Sequence, residues 1–393
     1  MNDAGVQEGV VVLGDHVQGL GIIRCFGRKK IPVYLVNDKG LCVGRFSRFL
    51  TGFLKSPEFN DEQGLVSYLM DIGKRKGLHK FLIIPTNDLA VRIVSKNKEI
   101  LSSIYTISTP NLDAIELIYN KRRTFELAKR LGVPIPNTIF PSSVENLDTL
   151  LSDVSYPLII KGSIGHIFYK TTGTKLFVVN SKEEILDFYQ KYKGSIQPSD
   201  TIIQELIDGP TENVHSFCSF FKEGQVYAWW SGKKIRAHPM LYGTATLAES
   251  VHDPSLLEYG SRLLNAMGYY GVSEIEFKLD PRDGVFKLLE MNARTWLWVS
   301  LAIRCGVDLP YILYSDMIKN ETITVDSFKV DIKWYHFYTD SAMVLREILN
   351  SRMSIKEYLS SVKGEKELAV FSTDDPLPFI AETLLLPYLW LTR

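Results

Sequence analysis

The sequence predicts an α/β fold with a parallel sheet at the N-terminus, followed by an α+β region built on antiparallel strands. Three observations carry this expectation. Short apolar runs alternate with helical patterns up to about residue 112; amphipathic helices then interrupt that rhythm; and beyond residue 200 strands follow one another through short turns.

The first run, GVVVL (9–13), ends in Gly14-Asp15-His16, and a helical pattern extends from Gly19 through Arg28. IPVYLVND (31–38) and KFLIIPTND (80–88) are the next strands, which implies βαβ units. Ligands of such sheets gather beyond the carboxyl ends of the strands. Those ends carry Gly14-Asp15-His16, Asn37-Asp38 and Thr86-Asn87-Asp88. Gly14, Gly19 and Gly21 do not match the GxGxxG spacing of a dinucleotide turn, and Asp38 could at best mimic the ribose-binding acid. An NAD-dependent oxidoreductase would need that missing turn.

LDAIELIYNKRRTFELAKRLGV (112–133) reads as one or two amphipathic helices, stopped by Gly132, Pro134 and Pro136. Next come a short strand (NTIF), a helix over 143–152, the apolar strand YPLIIKG (156–162), a glycine-dotted loop, the strand KLFVV and the helix SKEEILDFYQKYK. TIIQELIDG and a run of strands over 213–231 follow. GVSEIEFKLD and GVFKLLEMNA form a hairpin turning at Pro281-Arg282-Asp283-Gly284. Residues beyond about 321 form a mixed tail without a motif.

With 393 residues, 45% of them hydrophobic and 23% charged, the chain is expected to be a globular protein of two or three domains. Lys+Arg and Asp+Glu both number 45, so the basic excess of a nucleic-acid binder is missing. Cys25, Cys42, Cys218 and Cys305 are scattered and form neither a disulfide framework nor a zinc signature, which points to a reducing, cytoplasmic setting. No signal peptide or spanning segment is expected. The apolar tail PLPFIAETLLLPYLWLTR is too short and proline-broken to span a bilayer, and either packs as a helix or touches a membrane surface.

The chemistry concentrates in the stretch LLEMNART (288–295). Glu290, Asn292 and Arg294 occupy every second position and so share one strand face. A hairpin pairing Leu279 with Val285 sets Glu276 opposite Leu288, one diagonal step from Glu290. Glu276, Glu290 and Asn292 then share a face, with Glu274 on it too and Ser273, Ile275 and Phe277 on the other. Two carboxylates and an amide oxygen are a hard-oxygen set suited to Mg²⁺; a solvated polar face would show the same pattern. Lys161 ends a strand too apolar to be solvated, and Gly162 through Thr174-Lys175 can approach phosphate oxygens. Gln204-Glu205-Leu206-Ile207 ends another strand, with Glu212 after a Gly-Pro turn, an arrangement able to meet adenine and ribose or simply to close a strand.

Taken together, Asn120-Lys121 ahead of a helix, YPLIIKG, QELIDGPTE, EIEFKLD and LLEMNAR make the chain resemble, from about Val10 to Ile318, the ATP-grasp superfamily, specifically carboxylate–amine ligases with a biotin-carboxylase-like layout and D-aspartate-ligase-like relatives. The resemblance implies a Rossmann-like pre-ATP-grasp domain (1–112), a two-lobed ATP-grasp domain (113–320, lobes about 113–203 and 204–320) and a C-terminal extension (321–393). It also implies ATP and Mg²⁺ (or Mn²⁺) as cofactors. Lys121 and Lys161 would contact ATP phosphates, together with Gly162, Thr174 and Lys175. Gln204, Glu205, Leu206 and Ile207 would meet adenine, and Glu212 ribose. Glu276, Glu290 and Asn292 would hold the metal, and Arg294 would stabilise the transferred phosphoryl group. The chain departs from the family at His166-Ile-Phe-Tyr169, where small residues are usual, and at Thr295-Trp-Leu-Trp298, whose tryptophans either line an acceptor pocket or pack.

The implied reaction activates a carboxylate as an acyl phosphate, which an amine attacks to give an amide, ADP and phosphate. Its substrates would be a small-molecule carboxylate and amine, with an amino acid or a peptide or cell-envelope precursor among them. Lys233, Lys234 and Arg236 are the candidates to grip the carboxylate, and His238 is a candidate base. The expected partners are these small molecules, not nucleic acid, with peripheral membrane contact through the tail and a homodimer both compatible. The alternative is a catalytically silent ATP-binding regulatory or scaffold protein of the same fold; the full set of acids and lysines favours the ligase.

Overall fold

The structure, a computed structural model, describes residues 8–239 and 243–392. Three sheets carry the chain. The first holds β1 (Val10–Leu13), β2 (Val33–Asn37), β3 (Gly52–Lys55), β4 (Leu82–Pro85) and β5 (Thr106–Ile107), all parallel, in the order β3-β2-β1-β4-β5. The central β1 is buried along its whole length, as a strand covered by helices on both faces must be. The short edge strands β3 and β5 lie in stretches too polar or too brief to be recognised by sequence pattern. Strand order reverses between β1 and β4, which opens a crevice at their carboxyl ends.

The second sheet contains β6 (Thr138–Ile139), β7 (Leu158–Gly162), β8 (Leu176–Val179) and β9 (Thr201–Glu205), antiparallel in the order β6-β9-β7-β8. The segment after β7, expected as a glycine-dotted loop, is instead a helix, Gly165–Thr172. Its Phe168 is buried against Phe177 and Phe188, and Gly173, at φ +75°, ends it. One apolar anchor thus overrides the turn signal of the glycines. Gly162 is required by this packing: a Cβ there would lie 2.2 Å from the Cβ of Phe168. Gly162→Ala should therefore cost about 1–3 kcal/mol through overpacking, read as a lower urea midpoint.

The third sheet has seven strands: β10 (Val214–Lys222), β11 (Gln225–His238), β12 (Thr244–Ser250), β13 (Gly271–Leu279), β14 (Phe286–Asn292), β15 (Lys333–Tyr335) and β16 (Lys366–Leu368). Their order is β14-β13-β10-β11-β12-β15-β16, antiparallel except for the last pair. The region beyond residue 321 thus extends this sheet. It also reaches the first one, where Asp375 accepts from buried Arg24 at 3.0 Å. A single core joins Val10, Val12 and Leu20 of the first sheet's layer to Trp230, Trp296, Trp298 and Trp334. The 112–133 pattern resolves into two helices, Leu112–Tyr119 and Lys121–Arg130, separated at Asn120, whose side chain caps the second. The helix expected over 143–152 shrinks to Leu147–Leu150.

Candidate active site

A cavity of about 1390 Å³ lies where the three sheets meet. The first sheet contributes the ends singled out by pattern: Gly14-Asp15-His16, Asn37-Asp38 and Thr86-Asn87-Asp88 all line it. The β13–β14 hairpin forms another wall, but in a different register from the one expected. Leu279 pairs with Phe286 rather than Val285, and a bulge between Glu276 and Phe277 leaves Leu289 unpaired. Leu288, expected opposite Glu276, faces Phe277 instead, while Glu276 comes directly opposite Glu290 and Glu274 opposite Asn292. The bulge lets one strand bury Leu288 yet turn Glu290 toward the cavity, a usual role of bulges beside functional sites.

Each acid of the hairpin meets a partner. Glu276 binds Lys234 at 2.7 Å, and Glu290 binds Lys121. Lys121, Arg122 and Arg123 put three cations into a helical first turn, where the helix dipole disfavours them. Glu290 offsets that cost at Lys121, and the Lys121 backbone N–H donates to Ser163 O at 2.8 Å, holding this helix beside the end of β7. Lys161 there lies over the Phe125 ring at 5.4 Å. Burial, with Lys121 nearby, brings its ammonium down to about 7. The carboxyl of Glu290 is half-exposed; its partial burial opposes ionisation, but Lys121, Arg294 and Lys161 outweigh this and hold it down to about 2.

Glu274 lies behind this pair. Burial and the neighbouring Glu276 push it up to about 8, and it accepts from Ser216 Oγ at 2.9 Å and from Asn292 Nδ2 at 3.0 Å. It therefore orients Asn292, whose Oδ1 accepts from Arg294 at 3.1 Å. Arg294 also reaches Asp88 at 2.6 Å, tying the hairpin to the end of β4.

Of the remaining candidates, Gly162, Lys175, Gln204, Glu205, Leu206, Ile207 and Glu212 line the cavity. Thr174 does not: its hydroxyl donates to Leu176 O, and the helix before it has taken the place of the expected loop. The Glu205 carboxylate is occupied by Asn137 N–H and Arg282, and its backbone N–H donates to Asn137 O at 2.8 Å. Gln204, almost fully buried, donates to Thr138 Oγ1 and leaves its Oε1 without a partner.

The KKIR segment needs two corrections. Lys233 lies outside the cavity, paired across strands with Glu249 at 3.3 Å, because neighbouring strand residues face opposite ways; Lys234 is the lysine that enters. Arg236 lines the cavity, but its guanidinium is committed to Asp340 through bonds of 2.9 and 2.7 Å and to Ser361. It is a buried strut rather than a free carboxylate clamp. His238 is exposed and outside the lining. Trp296 and Trp298 line the cavity and also pack, with Trp230 stacked on Trp296 at 5.7 Å and edge-on to Trp298 at 5.2 Å. Sequence reading missed Arg352, Met353, Glu357 and Ser361, which line the cavity from the C-terminal region; no local signal marks them.

No protein-family model matches the chain. It is 22% identical to D-aspartate ligase of Enterococcus faecium over 332 residues, 79% of this chain and 77% of that one. It spans less than half the length of the other curated relatives it matches, among them carbamoyl phosphate synthase large chains. Among solved structures, L-amino acid ligase from Bacillus licheniformis superposes with a TM-score of 0.61 at 15% identity, covering 80% of this chain and 75% of that one. The biotin carboxylase domain of Hydrogenobacter thermophilus 2-oxoglutarate carboxylase, in complex with MgADP and bicarbonate, gives 0.64 at 17% identity, covering 83% and 73%. The chain has the ATP-grasp fold. In this fold the second and third sheets enclose the cavity between them, and the parallel sheet closes its third side.

Among the described residues no three His, Cys, Asp or Glu side chains cluster closely enough to hold a metal ion. The donor chemistry nevertheless fits Mg²⁺. Glu276 and Glu290 face each other across the hairpin, both ionisable oxygen donors, with the Asn292 amide beside them. Lys234 and Lys121 now balance their charge, as a cation between them would.

Proposed function

We propose that this chain is an ATP-dependent carboxylate–amine ligase that forms an amide bond through an acyl phosphate, releasing ADP and phosphate. The observation that carries the reading is the facing pair Glu276–Glu290, each with its own lysine and with Lys161 and Arg294 nearby. The likeness to D-aspartate ligase and L-amino acid ligase supports an amino acid as one substrate, and the MgADP complex supports the nucleotide.

In this reading the domain borders fall near residues 112 and 320. Gln204 to Ile207 border the base and Glu212 the ribose, while Lys121, Lys161 and Lys175 meet phosphates. Mg²⁺ held by Glu276, Glu290 and Asn292 would neutralise phosphate charge as the γ-phosphoryl group moves. Arg294, oriented by Asp88 and Asn292, faces the transferred group and stabilises its spreading charge. Enclosure by the three sheets would limit the access of water to the acyl phosphate.

An ADP- and phosphate-release screen over amino acids and small carboxylates, singly and in pairs, tests the reading. Release of AMP and pyrophosphate would refute the acyl-phosphate route; nucleotide binding with no release for any pair would favour a silent binding protein.

A pH effect follows from Lys161. Its pKa of about 7 leaves it largely neutral in alkaline buffer, and phosphates placed beside it would favour the charged form. ADP binding above that pH should take up a proton, and below it should not. Calorimetry in buffers of different ionisation enthalpy reads the uptake, which Lys161→Met should remove.

A further inference from the structure

The C-terminal region carries an outward surface that the cavity chemistry does not use. Helices Phe337–Leu349 and Ile355–Ser361 both turn inward to Arg236, through Asp340 on the first and Ser361 on the second. Outward, Leu345 and Leu349 are 58% and 76% exposed, and Ile355 and Leu359 are 63% and 53% exposed. Each pair is spaced i,i+4 and so shares a helix face. Arg346, Arg352, Lys356 and Lys363, all exposed, interleave with them.

The two acids of this stretch are engaged. Glu347 is buried, 3.8 Å from Arg352, and Glu357 caps its own helix at Ser354. Beside the pair runs helix Leu377–Thr392, joined to it by the Tyr338–Phe379 ring stack at 5.4 Å. It exposes Leu377, Ile380, Leu384 and Leu391, and its Glu382 is buried against His336.

Single exposed leucines are ordinary, but four large aliphatic side chains on two helices that both turn inward on Arg236, set among four exposed cations, are not. We propose that this surface docks the protein on an anionic lipid bilayer, the aliphatic side chains entering the headgroup boundary and the cations pairing with lipid phosphates. A second copy of the chain fits less well, because a two-fold contact would set one cation-bearing patch against another. No helix among the described residues is long and apolar enough to cross a membrane, so the contact is peripheral. Arg352 and Met353 also line the cavity, and docking therefore brings its rim to the bilayer.

Co-sedimentation of the full chain with phosphatidylglycerol–phosphatidylcholine vesicles, against pure phosphatidylcholine, tests this independently of any catalytic activity. Binding should favour the anionic vesicles and fall with salt. Arg346→Ala and Lys356→Ala should each weaken it about five-fold, and Leu345→Gln with Leu349→Gln should weaken it further. These positions are exposed, so an unchanged circular dichroism melt is expected and confirms that the variants fold. No sedimentation with anionic vesicles at low salt overturns the proposal. So does a dimer in solution that Leu345→Gln with Leu349→Gln dissociates, which would assign the surface to a second copy.

Discussion

Glu290→Gln should abolish nucleotide-dependent turnover while leaving the unfolding midpoint almost unchanged. Glu290 is the point where Lys121, Lys161 and Arg294 converge, and their fields hold its carboxyl down to about 2. It is thus ionised throughout the working pH range and stands opposite Glu276. Glutamine keeps the shape and one oxygen but loses the charge that a bound cation requires. With several kcal/mol of transition-state stabilisation at stake, the loss should be on the order of 100-fold or more in kcat. Stability should change by no more than about 1 kcal/mol, because the Glu290 side chain is 41% exposed and its ion pair with Lys121 is screened by water. The parity of the neighbouring strand supplies the control. Lys234→Ala should impair turnover, because it removes the partner of Glu276, whereas Lys233→Ala should leave it near wild type. Steady-state ADP release on the three variants decides the matter; full activity in Glu290→Gln would refute the metal assignment.

The register explains what was legible in the sequence and what was not. Alternation alone places Glu290, Asn292 and Arg294 on one face, because side chains on a strand alternate strictly. It could not reveal that Leu289 is bulged out, since a bulge depends on packing at Leu288 and on what lies across the hairpin. The same limit applies to Lys233 and Lys234. Both were visible as candidates, but only the inter-strand pairing with Glu249 shows which one turns away. The parallel sheet was readable from runs such as VVVL and LIIP because strands buried on both faces carry almost no polar residues. Helix Gly165–Thr172 was obscured by its bordering glycines, while the interaction that stabilises it, Phe168 on Phe177 and Phe188, is tertiary.

The region after residue 321 was the least legible. Its contributions act across long sequence separations: Asp375 serves Arg24, and Asp340 serves Arg236. Neither acid lies in a motif, and each gains meaning only from the arginine it meets. The cavity rim at Arg352 and Met353 is of the same kind, since a short loop between two helices acquires a role through position alone.

Asp340→Ala should be the most destabilising single change near the site. Asp340 is fully buried and accepts from Arg236 twice and from Thr246 Oγ1 at 2.7 Å. Its removal leaves a guanidinium 3% exposed with Ser361 as its remaining hydrogen-bond partner, over the Tyr358 ring at 5.5 Å. Breaking such a pair costs about 3–5 kcal/mol, most of it the penalty of an uncompensated buried charge. Removing both charges avoids that penalty, so Arg236→Met with Asp340→Leu should recover more than half of the loss. The urea midpoints of the two variants measure the difference. If Arg236 gripped substrate instead, the double variant would fold as well as the wild type but lose affinity for the carboxylate. As a strut, Arg236 restored in shape without charge should keep the KM for that substrate within a few-fold. Measuring KM beside stability therefore separates a residue that builds the cavity wall from one that binds what enters it.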